Sequence, residues 1–111
     1  MEPKIIRILI ADDHTMVRIG LTTMLKVFDE LALVGAATNG QHAIDLCDEL
    51  TPDLVLMDIN MPEVDGITAT RIIRQQHPEV KVLALTAYSD DKGVRQALQA
   101  GASGYLLKSA S

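Results

Sequence analysis

Five polar residues of this chain could do chemistry, and each stands at the end of a short apolar run or directly after one. Asp12 and Asp13 follow the first run, and Asp58 ends the third. Thr86 and Lys108 follow the fourth and the fifth. If these runs are parallel strands, their carboxyl ends share one edge of a sheet, which is where open α/β sheets bind ligands. We therefore expect the five side chains to lie close together.

These residue types suit a divalent cation and a phosphoryl group. The carboxylates of Asp12, Asp13 and Asp58 would repel one another unless a hard cation took them as oxygen ligands. Mg²⁺ fits best, because it uses few carboxylates, keeps several waters and often bridges to a phosphate. A carboxylate can also accept a phosphoryl group as a nucleophile, and Asp58 on the central strand is the candidate. Lys108 and Thr86 would then stabilise the phosphoryl oxygens.

The elements that must position these residues alternate along the chain. Apolar runs rich in β-branched residues predict five strands, at residues 5–10, 31–37, 53–58, 80–85 and 103–107. The run at 54–57 is apolar throughout, which is typical of a central strand covered on both faces. Stretches of helical periodicity separate the strands. This alternation predicts an α/β fold, a doubly wound five-stranded parallel sheet.

Four helices are predicted between the strands. The first follows Asp13, and its apolar residues share one face: Val17, Leu21, Met24, Leu25 and Phe28. Asn39 and Asp65 stand where side chains cap the second and third helices. The fourth helix is predicted to begin at Ser89. Its apolar face is the weakest and it contains an internal glycine, so we expect it to be the most deformable of the four.

Composition limits the class of protein. The chain has 111 residues, of which 48% are hydrophobic, and this suits one compact domain with a single core. Its net charge of -5 argues against a nucleic-acid-binding surface on this segment, since such a surface needs clustered Lys and Arg. A single cysteine, Cys47, excludes an internal disulfide. No apolar run is long enough to cross a membrane, so we predict a soluble, cytoplasmic domain.

Several segments together resemble the receiver domain of two-component response regulators, and the resemblance spans essentially the whole chain. The matching segments are residues 8–14, 52–62 with 65–66, 83–87 and 101–108. Each segment alone would be weak, whereas the set is highly specific. The Asp-Asp-His sequence at 12–14, the pattern at 17–21 and the Gly-Tyr-Leu-Leu-Lys sequence at 104–108 resemble the NarL/FixJ subgroup.

The resemblance implies roles for particular residues. Asp13 and Asp58 would ligate Mg²⁺ together with the backbone carbonyl of Asn60, while Asp12 would act largely through water. Asp58 would be the phosphoacceptor, loaded by a sensor histidine kinase and assisted by Lys108 and Thr86. Thr86 and Tyr105 match the switch pair of the family. The implied fold is flavodoxin-like, with strand order 2-1-3-4-5.

The resemblance also implies what lies beyond this segment. Receiver domains end with a fifth helix, and residues 109–111 read as a helix N-cap with no helix after it. We therefore expect the parent protein to continue into that helix and then into a helix-turn-helix output domain that binds DNA. A homodimer formed on phosphorylation is a further expectation.

Three functions of other kinds fit these residues less well. A dinucleotide-binding enzyme would need a glycine-rich first βα turn, and residues 11–15 contain no glycine. A phosphatase of the haloacid dehalogenase type also uses a strand-end aspartate with Mg²⁺, but it needs a second aspartate where this chain has Asn60. A pseudo-receiver that only binds partners is the third, and the intact polar set gives no reason to prefer it.

Ordinary structural roles compete with the functional ones. Asp12 and Asp13 could cap the first helix, and Lys108 could be a solvated lysine. Tyr105 could be a half-buried strand aromatic, and only the family resemblance makes the switch role competitive. Zinc is not expected, because the three histidines lie on different elements and His42 shares no helical face with the cysteine.

Overall fold

A computed structural model describes residues 4–61, 64–86 and 91–108 of the chain. Five parallel strands form one sheet in the order β2-β1-β3-β4-β5, which confirms the predicted fold class and strand order. The strands are β1 Ile6–Ala11, β2 Leu31–Ala37, β3 Leu54–Asp58, β4 Lys81–Thr86 and β5 Gly104–Leu107. The helices are α1 Thr15–Leu25, α2 Gly40–Leu50, α3 Gly66–Gln76 and α4 Asp91–Gln99. The predicted start of the fourth helix at Ser89 lies outside the described residues.

Helices α2 and α3 cover one face of the sheet. Strand residues Leu9, Val55 and Met57 are fully buried there against α2 and α3, which contribute Ala43 and Ile73 to the same cluster. The predicted caps are confirmed, because Asn39 accepts a hydrogen bond from the His42 amide and Asp65 accepts one from the Thr68 amide. Caps of this kind satisfy amide groups that would otherwise lack partners at a helix start. Both helices follow the carboxyl end of a parallel strand, so they begin next to that edge of the sheet.

The opposite face is covered by α1 alone among the described residues. Leu21 and Leu25 pack on the buried Ile8 and Ile10. No residue of α1 is buried, however, and the predicted apolar stripe is covered only in part. Its Met24 is 58% exposed, although it belongs to the predicted apolar stripe. Amphipathic periodicity reports which side of a helix is apolar, not whether enough protein lies there to bury it.

An apolar groove of about 770 Å³ lies beside α1 on this face. Its floor is formed by side chains of β1, β3 and β5, and its wall by α1. On the edge strand β5, Leu106 is 48% exposed and lines the groove. Within the described part of the chain, no helix is long and apolar enough to cross a membrane.

Candidate functional site

The carboxyl ends of β1, β3 and β5 bring three predicted site residues into direct contact. Lys108 Nζ lies 2.7 Å from Asp12 Oδ2 and 2.8 Å from Asp58 Oδ2. Asp12 and Asp58 are both buried, with relative exposures of 0% and 1%. The alternative that Lys108 is a solvated residue is therefore wrong, since its side chain is only 12% exposed.

Backbone hydrogen bonds at the strand ends hold these residues in register. The Asp12 amide donates to the Ala37 carbonyl on β2 at 3.0 Å. The Lys108 amide donates to the Thr86 carbonyl on β4 at 2.8 Å. Because the parallel ladder continues past the last strand residues, Asp12 and Lys108 have little freedom to move apart. The cluster is thus a direct product of the sheet register.

The charges of the cluster shift the pKa values of its members. Burial raises the pKa of Asp58, and this outweighs the opposing hydrogen bonds from Lys108 and from the Asn60 amide. The neighbouring Asp12 carboxylate also contributes to raising that pKa. Burial by itself would lower the pKa of Lys108, but its hydrogen bonds to Asp12 and Asp58 outweigh burial and raise it. Lys108 is therefore held as a cation, and Asp58 carries an incompletely compensated charge.

The first turn after β1 adds two more side chains to the cluster. His14 Nδ1 lies 3.0 Å from Asp12 Oδ1 and 3.2 Å from Asp13 Oδ1. Ligand atoms of Asp12, Asp13, His14 and Asp58 all lie within 4.8 Å of one another. His14 is the N-cap residue of α1, although its side chain makes no capping hydrogen bond to the helix, so the alternative that Asp12 or Asp13 is the cap was wrong.

Sequence reasoning did not assign His14 to the site. The three histidines lie on different elements, and this argues against a site built from histidines alone but not against a site with one histidine among carboxylates. The adjacent Asp12 and Asp13 were the available signal. The contact of His14 with Asp58, at 3.8 Å, joins residues far apart in the chain and depends on the fold.

The donors of this cluster fit a hard divalent cation. Asp12, Asp13 and Asp58 supply carboxylate oxygens, and their combined negative charge exceeds the single positive charge of Lys108. Asp12 Oδ2 and Asp58 Oδ2 are buried and both contact Lys108, and Asp58 Oδ2 also lies 3.8 Å from His14 Nδ1. Buried carboxylates in excess of their counter-ions are stabilised by a bound metal ion. The acidic cluster is consistent with a Mg²⁺ site.

Asn60 lies in the loop after β3. Its backbone amide donates to Asp58 Oδ1 at 3.0 Å, and its side chain is exposed. This hydrogen bond fixes the orientation of the Asp58 carboxylate. That the Asn60 carbonyl ligates a metal remains a prediction.

Thr86 and Tyr105 lie on neighbouring strands. Thr86 ends β4 and is buried, whereas Tyr105 on β5 is 48% exposed. In the sheet register Tyr105 pairs with Ala84, two residues before Thr86. Because side chains alternate along a strand, Tyr105 and Thr86 occupy the same face of the sheet. Their role as a switch pair remains a prediction.

Comparison with known proteins identifies the family. The family profile described as the response regulator receiver domain matches residues 8–111. This chain belongs to that family. The match decides against the dinucleotide-binding and phosphatase alternatives, and receiver domains are not classical enzymes. Because the family acts in two-component systems, a histidine kinase is the implied partner class.

The relatives of this receiver domain include regulators of the NarL/FixJ or LuxR type. It is 46% identical to the response regulator GacA of Pseudomonas viridiflava over 95% of this chain and 49% of that protein. Among solved structures, the receiver domain of the putative response regulator NarL from Mycobacterium tuberculosis matches with a TM-score of 0.92 and 34% identity. That match covers 98% of this chain and 88% of the other.

A LuxR-family response regulator from Aurantimonas sp. SI85-9A1 matches with a TM-score of 0.91 and 37% identity, over 97% of this chain and 77% of that one. The receiver domain described here spans about half the length of the curated relatives it matches.

Gly66 allows α3 to begin directly against the strand end of this receiver domain. A Cβ at Gly66 would lie 2.0 Å from the carbonyl oxygen of Asp58, a distance that no backbone tolerates. We expect Gly66→Ala to lower the free energy of unfolding by about 1–3 kcal/mol, because the backbone of Asp58 or of α3 must shift. Urea denaturation followed by circular dichroism measures this difference.

Gly20 in α1 provides the matched control, since a Cβ there meets nothing within 4 Å. Gly20→Ala should be neutral or should stabilise the protein by up to ~1 kcal/mol, because alanine favours a helix interior. Equal unfolding midpoints for wild type and Gly66→Ala would show that the close approach at Asp58 is not a constraint.

Proposed function

We propose that this receiver domain accepts a phosphoryl group on Asp58 from a phosphohistidine of a sensor histidine kinase. Asp12, Asp13 and Asp58, with the Asn60 carbonyl, would hold Mg²⁺. The observation that supports this most directly is the placement of the buried Asp58 carboxylate within 2.8 Å of Lys108 and beside Asp12. The arrangement combines a nucleophile, a fixed cation and oxygen ligands at one edge of the sheet.

In the proposed reaction a carboxylate oxygen of Asp58 forms a bond to phosphorus. The bond between phosphorus and the donor imidazole nitrogen breaks, and its electron pair stays on that nitrogen. Lys108, already held against Asp58, would pair with a phosphoryl oxygen and offset its charge. The Thr86 hydroxyl at the end of β4 would donate a hydrogen bond to another phosphoryl oxygen. When held by these residues, Mg²⁺ would supply positive charge that offsets the charge of the phosphoryl oxygens.

Phosphorylation would be read out through Thr86 and Tyr105. If Thr86 moves towards the phosphoryl group, the exposed ring of Tyr105 on the same face can turn inwards into the vacated volume. The face made by α4 and β5 would then change shape. We propose that this change promotes a homodimer and controls an output domain, in a protein that works in the cytoplasm.

The parent protein is proposed to continue into a fifth helix and a helix-turn-helix domain. The apolar groove beside α1 supports the proposal of a fifth helix. Its floor is formed by strand side chains, and a doubly wound sheet has helices over both of its faces. This chain matches about half of the length of relatives such as the transcriptional regulatory protein LnrK of Bacillus subtilis. The other half of such relatives supports the proposal of a separate output domain. Regulation of transcription would be the final effect.

Acetyl phosphate provides the test of the phosphoacceptor. With Mg²⁺ present, intact-mass spectrometry should show one added phosphoryl group on the wild-type chain, because a small donor needs only the metal and Lys108. Asp58→Asn should abolish the addition, and EDTA should suppress it in the wild type. Hydroxylamine should release the group, as expected of an acyl phosphate.

Asp45→Asn is the matched control, because Asp45 is an exposed carboxylate on α2 that contacts Gln41 and lies outside the acidic cluster. This variant should be labelled like the wild type. Equal labelling of Asp58→Asn and wild type would show that another residue is the phosphoacceptor.

A further inference from the structure

His14 extends the acidic cluster beyond the three carboxylates. Its Nδ1 lies 3.0 Å from Asp12 Oδ1, 3.2 Å from Asp13 Oδ1 and 3.8 Å from Asp58 Oδ2. The imidazole nitrogen is therefore close to all three carboxylates at once. The proposed function gives no role to this ring.

These separations match the spacing of ligands around one metal ion. With bonds of about 2.1 Å, two ligand atoms stand ~3.0 Å apart when adjacent in an octahedron and ~4.2 Å apart when opposite. The distances of 3.0 Å and 3.2 Å fit adjacent positions, whereas the 3.8 Å distance to Asp58 lies closer to the separation of opposite ones. The ligand atoms of the four residues lie within 4.8 Å of one another, so one ion could contact Nδ1 and the three carboxylates after the outermost atoms draw together to ~4.2 Å.

The start of α1 fixes His14 in this position. The His14 amide donates to Asp12 Oδ1 at 2.8 Å, and the His14 carbonyl accepts the first hydrogen bond of the helix, from the Arg18 amide. Arg18 Nη1 also donates to the Asp12 carbonyl at 2.8 Å. The backbone on both sides of the ring is therefore anchored. The His14 side chain is 60% exposed, which leaves the cluster open to a hydrated ion.

We propose that His14 is a nitrogen ligand that makes this site favour borderline first-row metals, such as Mn²⁺, Co²⁺ and Zn²⁺, over Mg²⁺. Imidazole suits these metals, whereas Mg²⁺ prefers oxygen and gains little from nitrogen. The ring would take the tautomer protonated at Nε2, so that Nδ1 offers its lone pair to the metal. With Lys108 in place, the three carboxylates leave two negative charges, which match a divalent ion.

This inference rests on the proposed metal site and is tested by metal binding rather than by phosphorylation. Co²⁺ and Mg²⁺ would be titrated calorimetrically into the wild-type chain and into His14→Ala, with His42→Ala as control. His42 is an exposed histidine at the start of α2, so its removal corrects for adventitious binding to surface imidazole. Circular dichroism would verify that each variant is folded. The Co²⁺ absorption bands report nitrogen ligation independently of affinity.

We expect His14→Ala to weaken Co²⁺ binding at least about tenfold, since even outer partners of metal ligands contribute that much. Its Mg²⁺ affinity should stay within about twofold of wild type, and the Co²⁺ bands should shift. His42→Ala should behave like wild type in all three respects. A Co²⁺ affinity and spectrum unchanged in His14→Ala would overturn the role of His14.

The Asp13→Asn variant distinguishes failure of the His14 ligand from failure of the proposed metal site. If that variant loses Mg²⁺ and Co²⁺ while His14→Ala keeps both at wild-type affinity, the carboxylate site stands and the imidazole ligand is wrong. If the wild-type chain binds neither ion, or Asp13→Asn binds both as the wild type does, the metal site itself is wrong, and the inference fails with it.

Discussion

Replacing Lys108 with methionine should lower the free energy of unfolding by about 3–5 kcal/mol at pH 7, the usual cost of leaving a buried charge without its partner. Lys108 Nζ contacts both Asp12 and Asp58, which are almost completely buried. Without the ammonium group, two carboxylates face each other in a site of low dielectric constant. Urea denaturation of the metal-free protein measures the loss.

The loss of stability caused by Lys108→Met should become smaller as the pH is lowered. Burial already raises the pKa of Asp58 above its ordinary value of 3.8, and removing Lys108 removes an opposing influence. A carboxyl group whose folded pKa is raised binds protons more tightly in the native state than in the unfolded state. Stability therefore falls as pH rises above 3.8, and the fall ends once the pH exceeds the folded pKa. The gap between wild type and Lys108→Met should shrink as the pH is lowered towards 4.

Two variants complete this experiment. Lys81→Met removes an exposed lysine at the start of β4 and should change stability by less than about 0.5 kcal/mol. Asp58→Asn introduced into Lys108→Met should restore part of the lost stability, because it removes one of the opposed charges. If Lys108→Met were no more destabilised than Lys81→Met, the ion pairs would be too weak to organise the site.

Covering the groove beside α1 should stabilise the protein by several kcal/mol. The groove exposes apolar side chains such as Met24 and Leu106, and roughly 25 cal/mol is gained for each Å² of apolar surface removed from water. A chain extended by the next ~15 native residues, enough for a helix of about 22 Å, should melt at least about 10 °C higher. The shorter chain should self-associate, and sedimentation should show that the extended one does so less.

A chain with the same added residues in scrambled order is the matched control, because it has the same composition without the amphipathic pattern. It should melt like the unextended chain. Equal melting temperatures for the native extension and the scrambled one, with a strictly monomeric short form, would show that the groove needs no covering helix.

The site residues were predictable where they depend on strand ends. Asp12, Asp58 and Lys108 each follow an apolar run, and parallel strands bring their carboxyl ends to one edge of a sheet. The chain order of such runs therefore indicates which residues share that edge, before any coordinates are known. The caps at Asn39 and Asp65 were predictable for a similar reason, since capping depends on residues close in the chain.

The sequence by itself determined the alternation of strands and helices, the five-stranded parallel sheet and the edge at which the polar residues gather. Only the tertiary structure decided that Lys108 contacts both aspartates, that His14 turns towards Asp58 and that Met24 is left exposed. The physical reason is the distance along the chain over which each kind of interaction acts. Propensity, periodicity and capping act over a few neighbouring residues, whereas burial and ion pairing depend on which distant segments pack together and on whether anything covers a given face.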